Sequence, residues 1–236
     1  MLEQLKKDVF IANIELVKCG LVMLTWGNAS GIDRESGLVV IKPSGVDYDI
    51  MTEDDMVVVD LEGNIVEGKL RPSSDTPTHL ELYRNFPEIG GVVHTHSTYA
   101  TAFAQASESI IPLGTTHADY FSCAVPATRK LTAEEINGAY EKNTGTVIVE
   151  TFEKQNLNYE YCPAVLVSQH APFVWGKTPA KAVENAFVLE RVAQMNMLTF
   201  SVSDMTRTNQ MDQVLLERHF YRKHGATAYY GQNTAK

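Results

Sequence analysis

The apolar residues of this chain recur at two different spacings, and each spacing predicts a type of secondary structure. Over residues 2–18 they come every three or four positions, at Leu2, Leu5, Val9, Ala12 and Leu16. That spacing places them on one face of a helix, which Gly20 is suited to end. Comparable patterns, with capping residues, predict further helices over residues 77–86, 98–106, 179–197 and 211–223.

Short runs of β-branched and apolar residues, bounded by Gly, Pro or Asp, predict strands. These runs cover residues 38–41, 56–59, 91–94, 146–150 and 164–167. A turn at Glu62-Gly63-Asn64 leads into Ile65-Val66 and indicates a hairpin. The chain has no internal repeat, no low-complexity segment and no linker. We therefore predict an α/β fold in a single domain of three layers that spans residues 1–236.

The charge balance narrows the classes of partner. Twenty Lys and Arg residues against 29 Asp and Glu residues give a net charge of −9, which argues against nucleic acid or an anionic membrane as partners. A small anionic substrate stays compatible, because a local pocket can be positive. Three widely spaced cysteines are typical of a reducing compartment, namely Cys19, Cys123 and Cys162. With a polar N-terminus and no apolar run of membrane-spanning length, we expect a cytoplasmic protein.

Two histidines separated by one residue form the clearest candidate for metal binding. His94 and His96 follow an apolar strand, where alternate side chains point to the same side with Cα atoms about 7 Å apart. His170 ends another predicted strand, and Asp75 stands where a helix is predicted to begin. Three imidazoles and a carboxylate suit zinc or a similar divalent ion. The alternative is that His94 and His96 are ordinary polar groups at a strand end.

The remaining histidines receive structural interpretations at this point. His79 falls within the helix predicted over residues 77–86, and we expect it on the outer face of that helix. His117 and His224 stand in no metal-ligand pattern of their own, so we assign them structural roles. His219 receives no interpretation from the residues alone.

Two segments have the composition of an anion-binding pocket. Lys42-Pro43-Ser44-Gly45 directly follows a predicted strand, and its Gly and Ser residues allow backbone N–H groups to approach an anion. Ser73-Ser74 precedes the helix that starts near Pro77, and the N-terminus of a helix favours an anion. Asn28 adds a possible amide donor. Each segment also has a plain explanation, because Ser and Gly are common in turns and Ser is a common helix cap.

Five motifs follow one another along the chain, and they are Leu24-Thr25-Trp26-Gly27-Asn28-Ala29-Ser30, Ile41-Lys42-Pro43-Ser44-Gly45-Val46, Pro72-Ser73-Ser74-Asp75-Thr76-Pro77-Thr78-His79, Val93-His94-Thr95-His96-Ser97 and Gly114-Thr115-Thr116-His117-Ala118-Asp119-Tyr120. Taken in this order, they resemble the signatures of the class II aldolase and epimerase family, in particular its L-ribulose-5-phosphate 4-epimerases. The resemblance extends to the end of the chain, from Arg222-Lys223-His224-Gly225 to Ala228-Tyr229-Tyr230-Gly231-Gln232. It implies a three-layer α/β/α domain around a mostly antiparallel sheet.

The resemblance also implies a set of ligands for the site. It implies that His94, His96 and His170 hold a divalent ion, usually zinc and otherwise manganese or cobalt, with Asp75 on or close to the metal. It places the substrate phosphate among Asn28, Lys42, Ser44, Gly45, Ser73 and Ser74. It also implies that Thr115 and His219 line the same site.

For proton transfer, the resemblance points to residues far apart in the sequence. It assigns this role to Asp119 and to a tyrosine of the neighbouring subunit's C-terminal tail, residues 225–236, where Tyr230 is the match and Tyr229 its neighbour. The family is usually a homotetramer with sites between subunits. For Asp119 we expect burial beside apolar groups to raise the pKa. Without the resemblance, Asp119 is interpreted as a cap and Tyr230 as an interface aromatic.

The activity that the resemblance implies is the interconversion of L-ribulose 5-phosphate and D-xylulose 5-phosphate. Carbon 4 carries no acidic hydrogen, so inversion requires cleavage of the bond between carbons 3 and 4, rotation of glycolaldehyde phosphate, and recombination. One alternative is a sugar-phosphate aldolase of the L-fuculose 1-phosphate type, in which a glutamate is expected at the position of Asp75. Another is a non-catalytic scaffold like the adducin head. The pathway, whether arabinose, ascorbate or another, stays open.

Overall fold

The computed structural model describes residues 2–203, 209–224 and 228–230. Over these residues the strands are β1 Asn28–Asp33, β2 Leu38–Ile41, β3 Val57–Val59, β4 Ile65–Glu67, β5 Gly91–His94, β6 Ala164–Leu166 and β7 Pro172–Gly176. The α-helices are α1 Glu3–Lys18, α2 Thr76–Asn85, α3 Thr98–Ala106, α4 Thr115–Ala118, α5 Ala133–Asn137, α6 Tyr140–Lys154, α7 Pro179–Val202 and α8 Gln213–Tyr221. A short 3₁₀ helix covers Glu53–Asp55.

The strands form one sheet in the order β4-β3-β2-β1-β5-β7-β6, and all neighbouring strands in it are antiparallel. β1 lies at the centre, where Asn28 pairs with His94 of β5. His94 in turn pairs with Phe173 of β7. This register aligns Asn28, His94 and Phe173 across one end of the sheet. The polar loops that contain the candidate site residues lie at the same end.

Helices cover both faces of the sheet, and β1 shows which helices lie on which face. A Cβ atom on Gly31 would lie 2.8 Å from side-chain atoms of Leu5 in α1 and Pro179 in α7, so these helices approach the backbone of β1 closely. Ser30 points to the opposite face and hydrogen-bonds to His79 and Tyr83 of α2. The predicted three-layer α/β/α fold with an antiparallel central sheet is therefore confirmed.

Most of the predicted elements agree with the structure, but the strand predicted over residues 146–150 is wrong. That segment lies in α6, where Val147, Ile148 and Phe152 are buried against the core. A short β-branched run does not distinguish a strand from a buried helical turn. Two strands, β1 and β7, were not predicted.

The described residues contain no helix that is long and apolar enough to cross a bilayer. Of the predicted C-terminal tail, residues 225–227 and 231–236 lie outside the described part of the chain. Ala228, Tyr229 and Tyr230 are described and exposed. The prediction that this tail reaches a neighbouring subunit therefore rests on the resemblance.

Candidate metal and anion site

Three histidines converge at the end of the sheet. His94 ends β5, His96 follows it by two residues, and His170 lies in the turn between β6 and β7. Their ring centroids are 4.9–5.2 Å apart, and one ligand nitrogen from each ring lies within 4.8 Å of the others. Nδ1 of His94 is 3.0 Å from the carbonyl oxygen of Pro172, which leaves Nε2 as the ligand atom.

The surroundings of His96 and His170 favour the neutral form of both imidazoles. Burial, together with the nearby His94 and His96, lowers the pKa of His170 to about 3. Burial also lowers the pKa of His96. A neutral imidazole has a free lone pair, which is the form that binds a metal ion.

The donor set of the triad fits a divalent transition metal. Three imidazoles with one open position are a common arrangement in catalytic zinc sites. Nδ1 of His170 and Oδ1 of Asn28 are buried and lack a hydrogen-bond partner within the described structure. Because buried polar atoms are normally paired, these two atoms indicate a site that an ion or ligand completes.

Asp75 lies beside the triad and stands outside the group of close ligand atoms formed by the described residues. It occupies the N-cap position of α2, but its side chain makes no capping bond. Its Oδ2 instead accepts a hydrogen bond from Nδ2 of Asn28 at 2.7 Å. Burial by itself raises the pKa of Asp75, but His94, His79 and the Asn28 bond outweigh it and hold the pKa below its ordinary value.

The triad opens into a cavity of about 380 Å³, which we call the histidine cavity. Its wall contains Asp75 and Trp26 in addition to the triad. The residues predicted to bind phosphate also line it, and they are Asn28, Lys42, Ser44, Gly45, Ser73 and Ser74. The structure thus brings the predicted metal ligands and the predicted phosphate ligands into one space.

Each anion-binding segment has backbone or side-chain donors near the cavity. The amide of Asn28 donates to Oγ of Ser73 at 3.1 Å, which ties β1 to the start of α2. Lys42 is only 1% exposed, and its ammonium donates to the carbonyl oxygen of Val46 at 2.9 Å. Burial lowers the pKa of Lys42. The positive end of α2 and the loop of Ser44 and Gly45 after β2 favour an anion between them.

The other predicted site residues do not line this cavity within the described chain. Thr115 begins α4, Asp119 follows that helix, and His219 lies on α8. Around Asp119 the structure gathers what we call the Asp119 cluster, which consists of Asp119, His219, Arg222, Lys223 and Tyr230. In one chain the predicted site is therefore divided into two regions.

Cations surround the carboxylate of Asp119. Nη2 of Arg222 donates to both of its oxygens, at 3.0 and 2.8 Å, and Nζ of Lys223 lies 3.1 Å from Oδ2. The Tyr230 ring stacks over both cations, with centroid distances of 4.8 Å to Arg222 and 4.6 Å to Lys223. Burial alone raises the pKa of Asp119, but hydrogen bonds from Arg222, His219 and Lys223 outweigh it and lower the pKa. The expected raised pKa was wrong, because these cations are about 100 residues away in sequence.

The prediction for His79 was also wrong. His79 is fully buried on the sheet side of α2, and its Nδ1 lies 2.7 Å from Oγ of Ser30. Burial lowers its pKa to about 3. His117 and His224 each approach a backbone carbonyl oxygen, that of Cys123 at 2.7 Å and that of Asp119 at 3.0 Å. These contacts agree with structural roles.

Two residues with contacts to these regions were not singled out from the sequence. Tyr48 bonds to the carbonyl of Gly27 beside the cavity. Arg222 organises the Asp119 cluster. Arg222 lies in the C-terminal segment that carried the resemblance, so the sequence offered a reason to consider it as a site residue. Tyr48 lies in none of the motifs, and the sequence offered no such reason for it.

Comparisons with known proteins agree with this geometry. Residues 7–197 match the family model for the class II aldolase and adducin N-terminal domain. A solved L-fuculose 1-phosphate aldolase is 26% identical with a TM-score of 0.75, over 91% of this chain and 95% of that one. The L-fuculose-1-phosphate aldolase from Thermus thermophilus is 27% identical with a TM-score of 0.65, over 84% and 95%. The enzyme from Glaciozyma antarctica shares the fold at 19% identity and a TM-score of 0.74, over 96% and 84%.

Proposed function

This chain belongs to the class II aldolase and adducin N-terminal domain family, and we propose that it is a metal-dependent epimerase that interconverts L-ribulose 5-phosphate and D-xylulose 5-phosphate. The observation that carries this proposal is the meeting of the histidine triad with two anion-binding segments in one cavity. A non-catalytic scaffold needs neither group, so their joint presence favours an enzyme of the family.

In this proposal His94, His96 and His170 hold a divalent ion, with zinc the first choice for three imidazoles. When bound, such an ion supplies Lewis-acid stabilisation of the negative charge that develops on the substrate's carbonyl oxygen. Nδ1 of His94 is fixed by the Pro172 carbonyl, so the ring keeps one orientation. Asp75 stays ionised beside the triad and is held by Asn28, so we assign it the role of adding negative charge next to the histidines.

The anion-binding segments have a second task in this reaction. Breaking the bond between carbons 3 and 4 turns the C4 hydroxyl into an aldehyde as its proton goes to a base, while the bonding electrons move toward the C2 ketone. The phosphorylated fragment must then rotate without leaving. We assign its retention to the segments of Ser44-Gly45 and Ser73-Ser74, which face the same cavity.

Proton transfer requires groups on both faces of the aldehyde. We assign these roles to Asp119 and Tyr230 of a neighbouring subunit, with Thr115 and His219 beside them. Both residues surround the same Arg222 and stand outside the cavity lining described for their own chain, so one neighbour would supply both. A homotetramer of single-domain subunits, with sites between chains, meets this requirement.

A sugar-phosphate aldolase is the second candidate, and a specific observation favours it. Solved structures at 26% and 27% identity are named as L-fuculose 1-phosphate aldolases. Against that interpretation, the acid at the metal site is the aspartate Asp75, whereas the aldolases are expected to carry the longer glutamate as a base. The two candidates share the metal site and differ in what they release.

The test is turnover of L-ribulose 5-phosphate, followed by a coupled assay for D-xylulose 5-phosphate. We expect conversion that is lost on chelation and restored by zinc. The same protein is then given L-fuculose 1-phosphate, and release of dihydroxyacetone phosphate is measured. Release from that substrate without conversion of the first would replace the epimerase by the aldolase.

A further inference from the structure

Tyr48 touches two loops of the histidine cavity without lining the cavity itself. It is 5% exposed, and its hydroxyl donates a hydrogen bond to the carbonyl oxygen of Gly27 at 2.8 Å. The face of its ring lies under the ammonium of Lys42, 4.7 Å from the ring centroid. Burial raises the pKa of Tyr48, so at neutral pH the hydroxyl is a hydrogen-bond donor. One side chain therefore joins the loop after β2 to the loop before β1.

The loop after β2 is folded around the Lys42 ammonium. Nζ of Lys42 donates to the carbonyl oxygens of Val46, at 2.9 Å, and Pro43, at 3.3 Å. With the Tyr48 ring on the same ammonium, the cation fixes the course of the backbone on which Ser44 and Gly45 lie. The position of Ser44 and Gly45 thus depends on where Tyr48 holds Lys42, as well as on the bond from the Ser44 N–H to the carbonyl oxygen of Arg71 at 2.9 Å.

The loop before β1 is pressed against the segment that carries the histidines. Gly27 has φ +111°, and a Cβ atom there would lie 2.8 Å from the Val22 side chain, 3.1 Å from the carbonyl oxygen of His94 and 3.6 Å from Cα of Thr95. The backbone of Gly27 therefore packs directly on the residues between His94 and His96. Tyr48 is bonded to the carbonyl oxygen of the same glycine.

These contacts form a continuous connection from the anion-binding loop to the metal-binding segment. We propose that Tyr48 is a positioning residue that sets the distance between the bound phosphate and the histidine triad, and so selects sugar phosphates by the separation of their phosphate and carbonyl groups. The inference rests on the proposed use of this cavity for a phosphorylated ketose. It adds a residue that determines which length of substrate fits.

The decisive variant is Tyr48→Phe, which keeps the ring under Lys42 and removes only the hydroxyl. Two probes are bound to the zinc-loaded protein in a calorimeter. Inorganic phosphate needs only the anion-binding loop, whereas phosphoglycolate carries a phosphate at one end and a carboxylate that can reach the metal at the other. We expect phosphoglycolate to bind about five- to tenfold more weakly and the affinity for inorganic phosphate to change less than about twofold. The reason is that the lost Tyr48–Gly27 hydrogen bond affects the distance between the phosphate site and the metal site, which only phosphoglycolate must span.

Kinetics and a matched control complete the test. KM for the sugar phosphate is expected to rise about five- to tenfold, with kcat within about threefold and zinc content unchanged. The control is Tyr99→Phe, which removes a hydroxyl that accepts a hydrogen bond from Gln194 at 3.2 Å between α3 and α7. Its probe affinities and KM should match those of the wild-type protein.

Each result decides a separate point. An equal loss for both probes would overturn the inference, because Tyr48 would then only keep the anion-binding loop intact. Unchanged binding of both probes would overturn it as well. If the wild-type protein bound neither probe, the proposed function itself would fail, and that outcome is recognised before any variant is made.

A second variant tests the same connection from its other end. Gly27→Ala places a methyl group against the Val22 side chain and the His94 carbonyl and so pushes this loop away from the histidines; it should weaken phosphoglycolate more than inorganic phosphate, as Tyr48→Phe does. Its control is Gly37→Ala, a glycine with φ +71° at which an added Cβ would meet no atom within 4 Å. Equal effects of the two glycine variants on phosphoglycolate would contradict the proposed connection.

Discussion

The histidine cavity and the Asp119 cluster are held together in different ways. In the cavity, backbone pairing fixes the parts: Asn28 and His94 are partners across β1 and β5, and the Pro172 carbonyl orients the His94 ring. In the Asp119 cluster, side-chain charges hold the parts together, with Arg222 and Lys223 on one carboxylate. The first region is set by the sheet. The second depends on ion pairs between Asp119, which follows α4, and the cations after α8, with the Tyr230 ring packed on those cations.

This difference indicates how the two regions would divide the reaction. A metal ion and a phosphate need ligands at fixed distances, which strand ends and short loops provide. Proton-transfer groups, in contrast, must reach an aldehyde fragment that rotates during the reaction. In our proposal Asp119 and Tyr230 of a neighbouring chain supply these groups, so the rigid histidine cavity of one chain is completed by the Asp119 cluster of the next.

The largest expected effect comes from removing one ligand of the triad. His96→Asn should lower kcat by about 10³-fold or more, because Lewis-acid stabilisation contributes several kcal/mol. Zinc content, measured by plasma emission spectrometry, should fall with it, while the circular dichroism spectrum stays that of the wild-type protein. His219→Asn is the control from the Asp119 cluster and should keep its zinc. A zinc-loaded, fully active His96→Asn protein would refute the assignment of the triad.

The next largest effect comes from a change in the Asp119 cluster, which should lower activity without affecting the bound metal. Tyr230→Phe should lower kcat by about 10²-fold or more, the usual contribution of a positioned proton-transfer group, without loss of zinc. Tyr229→Phe is the matched control, since both rings are exposed, at 62% and 61%. Loss of activity in Tyr229→Phe alone would move the role to that neighbour.

Mixing the two variants asks whether one site uses two chains. His96→Asn and Tyr230→Phe subunits are denatured together, refolded and assayed. If each site takes its triad from one chain and its tyrosine from the next, random assembly restores about a quarter of the sites. If both regions served the same chain's site, the mixture would stay as inactive as either variant.

The residues of the histidine cavity could be predicted from sequence because each belongs to a short segment with its own chemistry. His94-Thr95-His96 has the alternation of a strand end, and Ser44-Gly45 follows a strand as a loop. Neither inference required knowledge of distant contacts. What brings the segments together is the strand order, with β1 between β2 and β5, and β1 itself was not predicted.

β1 was missed and His79 was misplaced for the same physical reason. The strand has the sequence Asn28-Ala29-Ser30-Gly31-Ile32-Asp33, with polar residues that the pattern rules assign to solvent. In the structure Ser30 is fully buried and bonds to His79 and Tyr83 beneath α2. Because the buried side chains of this network are polar, they leave no apolar pattern in the sequence.

The Asp119 cluster could be predicted only as a set of residues. The resemblance supplied Asp119, His219 and Tyr230, but the lowered pKa of Asp119 depends on Arg222 and Lys223, which reach it through the packing of α8 on α4. Side-chain charge pairs over such separations have no periodicity to read. The electrostatics of a site therefore require the fold even when its residues are known.

The smallest expected effect tests that electrostatic difference directly. Because the pKa of Asp119 is lower in the folded chain than its ordinary value of 3.8, its ionised form stabilises the fold above pH 3.8, and this contribution is lost as the pH falls through the folded-state pKa. Arg222→Gln should therefore lower the urea midpoint of unfolding at pH 7, and the difference from wild type should shrink as the pH falls below 3.8. Lys18→Gln, which breaks an exposed pair with Glu15, should change little at any pH. A difference for Arg222→Gln that stayed constant down to about pH 2 would mean that Arg222 stabilises the fold by packing, and the charge-held character of the Asp119 cluster would be disproved.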